Sequence, residues 1–190
     1  RKPAPAEGGE EGAPPVAQST PKGRDRAHFA RLSSALVRMG HAAAQQQERL
    51  HRMESAKMPL GALGEAAEGL EAAESALTAL LNATSGGERA TNRAAALLRQ
   101  VDKESALDDA RAKGRVTPEA QLLLHNLLSS IGSLGSAIVR QLRATPHALP
   151  ALLDAGADDS IGAAEQKIGA IGILFPDQPQ GRRQSEPAGR

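Results

Sequence analysis

Apolar residues recur along this chain at alternating steps of three and four. Phe29, Leu32, Leu36, Met39, Ala43, Leu50 and Met53 fall on one such row, which Gln46 interrupts. The spacing places them on a single a/d seam and predicts a helix over about 27–57, with Asp25 as its cap and Pro59 near its end. Leu60, Leu63, Ala67, Leu70, Glu74, Leu77, Leu81 and Thr84 repeat the row and predict a second helix over about 60–84. A third, over about 88–113, has a weaker face in Ala94, Leu97, Leu98, Val101 and Leu107, and Gly114 supplies its stop. Thr117-Pro118-Glu119 then reads as cap, first-turn proline and first-turn acid, opening a fourth helix over about 118–144. After Pro150 comes a short turn or helix. The row returns in Ile161, Ala164, Ile168, Ile171 and Phe175, predicting a last helix over about 160–175 capped from Asp158-Asp159-Ser160. No period-2 strand is evident. The expected fold is all-α: an antiparallel helical bundle over 27–175 with coiled-coil-like seams.

The flanks are different. Residues 1–26 and 176–190 are rich in Pro, Gly, Glu and Arg, with almost no large apolar side chain. They are expected to be disordered arms, because they cannot bury enough surface to offset ordering entropy. Composition agrees with the helical reading: two Phe, no Trp and no Tyr leave Leu and Ala as the main core formers. The absence of Cys excludes disulfides, thiol catalysis and cysteine-ligated metals. With 23 Lys+Arg against 22 Asp+Glu, there is no general case for nucleic-acid binding, and few aromatics are available for stacking on bases. No hydrophobic signal segment marks the start, so the chain reads as cytoplasmic or exported without a cleavable signal peptide.

Charge does change the picture of the first two helices. Residues 27–58 are net basic, whereas 59–84 carry Glu65, Glu68, Glu71 and Glu74 with no base. Opposite charge across the break at Met58-Pro59 predicts an antiparallel hairpin; the alternative is one kinked helix. Ala120–Val139 contains no Asp, Glu, Lys or Arg and is long enough to span a bilayer. Its Gln, His, Asn and serines favour the core of a bundle instead, and Gly132, Gly135 and Ser136 would admit a closely packed helix.

Candidate chemistry is sparse. Glu48 and His51 have the Glu-x-x-His spacing used in di-iron bundles, but it occurs once and among basic neighbours, so a solvated pair is expected. No nucleophile elbow or phosphate-cradling loop is present, and Asp102, Glu104, Asp108 and Asp109 alternate with bases as on a solvated face. No catalytic, cofactor or metal site is expected. Arg182-Arg183-Gln184-Ser185-Glu186-Pro187 matches a basophilic-kinase site, making Ser185 a candidate phosphosite. The stripe Ile161, Ile168, Ile171 and Phe175 is the candidate partner-binding surface, since Gly162, Gly169 and Gly172 weaken its helix and suit a detachable element.

These features favour a non-enzymatic helical protein that binds a protein partner. The alternative is a structural protein that builds a homo-oligomeric coiled coil from its seams, and the third reading is a membrane-interacting helical protein. The polar start RKPAPAEGGEEGAPPVAQST, the lack of cysteine and the Ala/Leu-rich body resemble small regulators and effectors exported by bacterial type III secretion. Some of those sequester a sigma factor. The resemblance implies a secreted regulator or effector and carries over no individual residue.

Overall fold

The rows at 29–53, 60–84 and 161–175 fall on helices or on the turns that flank them and face the core, whereas most of the weaker face at 94–107 lies outside the described residues. The computed structural model describes residues 21–84 and 102–175. Its helices are α1 (Pro21–Arg52), α2 (Leu63–Thr84), α3 (Lys103–Lys113), α4 (Pro118–Ala144), α5 (Leu149–Asp154) and α6 (Ala157–Ala170). Short 3-10 turns lie at Ser55–Lys57, Leu60–Ala62, Pro146–Ala148 and Ile171–Leu174, and no strand occurs among the described residues. The expected all-α bundle is the observed architecture.

Side-chain pairings fix the directions. Gln121 donates to the carbonyls of Leu50 and Met53, Gln47 donates to that of His125, and Gly135 packs against Leu36 and Met39. Rising numbers in α4 meet falling numbers in α1, so the two are antiparallel. Arg31 pairs with Asp158 and Arg38 with Glu165, so α6 runs parallel to α1. The link 53–62 starts α2 at the end where α1 stops, and α4 starts there too. α2 therefore runs with α4 and against α6.

The four long helices stand at the corners of a square. α4 and α6 each pack on both α1 and α2, while α1 and α2 form no substantial contact and lie diagonally opposite. Here the structure corrects the expected hairpin. The chain does reverse after α1, but the basic helix answers the acids of α6 rather than those of α2. The seams fill the centre: Leu32, Met39, Leu50, Leu70, Leu77, Leu124, Leu128, Ile131, Leu134 and Ile138 are each 0% exposed. The long apolar stretch of α4 is thus the packed central helix. Because α2 and α4 are parallel neighbours, the chain must return along the bundle between them; α3 lies on that return and packs on α4. α5 closes the opposite end through buried Leu149 and Leu152.

Several boundaries move. α1 begins at Pro21, inside the segment expected to be disordered, so Asp25 lies within the helix instead of capping it. Proline suits a first turn, and the Lys and Arg that follow are good helix formers, so the helix extends outward from its packed part. α1 stops at Arg52 rather than near 57, because Gln121 takes up its last carbonyls. α6 starts from Gly156, whose φ of 74° is left-handed, and Asp158 and Asp159 occupy its first turn, where the helix dipole favours acids. Gly114 (φ 62°) and the Thr117 cap stand where expected. Residues 1–20 of the expected arm 1–26, residues 85–101 and the expected arm 176–190 with Ser185 lie outside the described residues.

Candidate functional site

The sequence-derived stripe on the last helix is not a free surface. Ile161 is 1% exposed and Ile168 and Ile171 are 0% exposed, because α6 is a corner of the bundle and turns its apolar row toward α1 and α2. Phe175 sits at the core edge, with the Arg49 guanidinium 5.8 Å from its ring centroid. Glu48 and His51 are exposed, and the Glu48 carboxylate is taken by Arg52. Asp102 caps α3 through the Glu104 N–H at 3.0 Å, and Asp108 and Asp109 pair with Arg111 and Lys113.

A buried polar contact joins two of the helices. Glu74, on the α2 seam, is 3% exposed and accepts a hydrogen bond of 2.6 Å from the Ser130 hydroxyl of α4. Nearby, Lys103 donates to Glu71 at the rim of a cavity of about 360 Å³. That hydrogen bond holds the Lys103 ammonium above its ordinary 10.5, outweighing the opposing effect of burial. These contacts tie α2 to α3 and α4.

A different feature opens to solvent. The outer side of the α1/α4 contact is a groove of about 800 Å³. Its small lining residues include Gly40 and Ala44 of α1 and Ser129, Gly132, Ser133 and Ser136 of α4. The antiparallel register that sets Gln47 beside His125 puts Gly40 level with Gly132. A Cβ added to either would meet nothing within 4 Å, and neither has a positive φ. Gly135 is unlike them. Its Cβ would stand 2.9 Å from the Met39 methyl and 3.5 Å from the Leu36 carbonyl oxygen, so this glycine lets the helices close beneath the groove.

The groove also has a chemical character. Val37 is 47% exposed at its edge, an unusual position for a large apolar side chain here. His41, Arg140 and Arg143 are its ionisable lining residues, all exposed, with no carboxylate among the lining residues. Gln47 closes one end by donating to the His125 carbonyl oxygen at 3.1 Å. The arrangement offers shape and positive charge. Among the described residues no hydrogen bond joins His41 to a serine of the lining, and no group of three metal-ligating side chains is present.

Sequence reading marked Gly132 as admitting a closely packed helix and gave Gly40 no role. It did not join them, because their common level follows from the register of two helices far apart in the chain. Val37, Arg140 and Arg143 gave no signal of their own. Compared with known proteins, the chain matches no family model, no curated protein and no solved structure.

Proposed function

We propose that this is a non-enzymatic helical protein that acts by protein–protein binding, with the α1/α4 groove as the receiving surface. The observation that carries this reading is the level pair Gly40 and Gly132 over open space. Glycine inside a helix costs about 1 kcal/mol relative to alanine. Neither backbone angle nor any neighbour in the folded chain calls for glycine at these two positions. A second helix laid in the groove would call for it, since small residues let backbones approach closely. The apolar seams, by contrast, are consumed inside the bundle, so association through the groove is favoured over a coiled coil built from them. The apolar row of α4 is likewise buried, which disfavours the membrane reading.

A photo-crosslinking residue in place of Val37 tests this in extract from the source cells. A discrete adduct is expected, absent when the same residue replaces exposed Ala163 on α6 and lost when Gly132→Leu fills the groove. Equal labelling from both positions, or none from Val37, overturns the reading.

A further inference from the structure

The bundle is divided by charge. α1 carries seven Lys/Arg against two acids, while α2 carries four Glu and no base. The exposed ridge of α2 consists of Glu65, Glu68, Ala72, Ser75 and Ala79. Those steps of three and four make one continuous stripe, small along most of its length and acidic at one end. Glu71 is engaged by Lys103, whereas Glu65 and Glu68 form no ion pair among the described residues. The groove has the reciprocal make-up: small along most of its length and basic at one end, where Arg140 and Arg143 stand.

We propose that the α1/α4 groove is filled by α2 of a second copy of this chain, and that the protein assembles through this contact. The inference rests on the reading of the groove as a binding surface and names its occupant. The spacings of the two stripes agree. With Glu65 set against Arg143, the same antiparallel register sets Glu68 against Arg140, Ala72 against Ser136, Ser75 against Ser133 and Ala79 against Ser129. From Glu65 to Ala79 is about 21 Å at the helical rise, and Arg143 to Ser129 spans the same distance. The smooth part of the ridge then lies over Gly132, and both glutamates meet arginines instead of carboxylates. A groove pairing with another groove would bring Arg140 and Arg143 against like charge. A flat anionic membrane would meet the arginines but leave the glycine hollow unfilled. Ridge and groove lie on different faces, so a pair joined by one contact keeps a ridge open on one copy and a groove open on the other. Such a heterologous contact continues beyond the dimer.

Sedimentation velocity of the full chain, over a concentration series at low and high salt, is the first arm of the test. The weight-average mass should climb past that of a dimer and fall back in about 1 M salt, where charges are screened beyond roughly 3 Å. The second arm uses two double variants, R140E/R143E and E65R/E68R, all at exposed sites. Each alone sets like charges together, so its association midpoint should rise by about tenfold or more. In an equimolar mixture, alternating copies set opposite charges at every contact, and wild-type assembly should be recovered. Circular dichroism and melting establish that both variants fold; if either does not, the single variants R140E and E68R replace them in the same mixture. A wild-type chain that stays monomeric, or a mixture that fails to recover association, overturns the inference. So does binding to phosphatidylserine vesicles that R140E/R143E abolishes while the chain remains monomeric. The Val37 crosslink separates the two levels. An adduct on a different protein from a chain that does not self-associate removes the second copy and keeps the groove. No adduct removes both.

Discussion

At the residue scale, one residue type does opposite things within a single helix contact. Gly135 is where α1 and α4 close on each other, and Gly132 is where the surface falls away. The two lie three residues apart in an Ala/Gly/Ser-rich stretch, and nothing in the sequence tells them apart. Their surroundings do. Gly132→Ala should stabilise the fold by about 0.5–1 kcal/mol, since it adds helix propensity without a clash. Gly135→Leu must displace the Met39 methyl and press on the Leu36 carbonyl, and overpacking of this kind costs about 1–3 kcal/mol. Chemical denaturation of both variants checks the pair, and a destabilised G132A would show that Gly132 is packed after all.

Lys103 gives a residue-scale prediction in pH. Its folded-state value lies above 10.5 because the charged form is held by Glu71. The folded state therefore holds this proton more tightly than the unfolded state. The contribution is complete below the unfolded value and disappears as pH rises through the raised folded value. The melting difference between wild type and Lys103→Met should stay constant from neutral pH to about 10 and then shrink. A difference that grows on the alkaline side would contradict the assignment.

At the scale of elements, amphipathic spacing was sufficient to find helices but not to decide what their faces touch. The boundaries 118–144 were legible because Thr117, Pro118 and Glu119 are local signals. The end of α1 was not, because its cap is the Gln121 side chain of another helix. The stripe of α6 was legible as apolar, yet an apolar stripe looks the same whether it meets its own bundle or a partner. Glycine content suggested a detachable helix, and burial argues the other way: Ile161, Ala164, Ile168, Ile171 and Leu174 are at most 1% exposed. Removing 157–175 would uncover the inward flanks of both α1 and α2. The truncated chain should lose its cooperative thermal transition, and amides of α6 should exchange no faster than those of α2. Gly162 and Gly169 meet open space, so their replacement by Ala should raise stability by about 0.5–1 kcal/mol each. Retention of a sharp melt by the truncated chain would return α6 to the status of an arm.

At the scale of the whole molecule, the bundle follows from where the chain crosses its own ends. Opposite net charge on the first two helices suggested that they pair, but electrostatics between exposed helix faces is weak compared with burial of a seam. The winning arrangement gives α1 and α2 both α4 and α6 as neighbours, so each buries two flanks instead of one. That forces the link 53–62 to cross a diagonal. With neighbouring helix axes about 8–10 Å apart, the diagonal of the square is roughly 11–14 Å. The link meets this demand with two 3-10 turns and seats Met58, 4% exposed, against the core on the way. Replacing 53–62 by a tight Gly-rich turn of the kind that joins adjacent antiparallel helices should therefore be strongly destabilising. It would pull α2 toward a corner held by α4 or α6 and break the Gln121 caps of α1 as well. Gln121→Ala in the intact link isolates the second effect, at about 0.5–1.5 kcal/mol for each part-buried hydrogen bond lost, since the Leu50 carbonyl still accepts from the Met53 N–H. The shortened chain should lose much more than Gln121→Ala in chemical denaturation. Equal losses would mean that the caps alone account for the link, and that the diagonal crossing imposes no demand on its length.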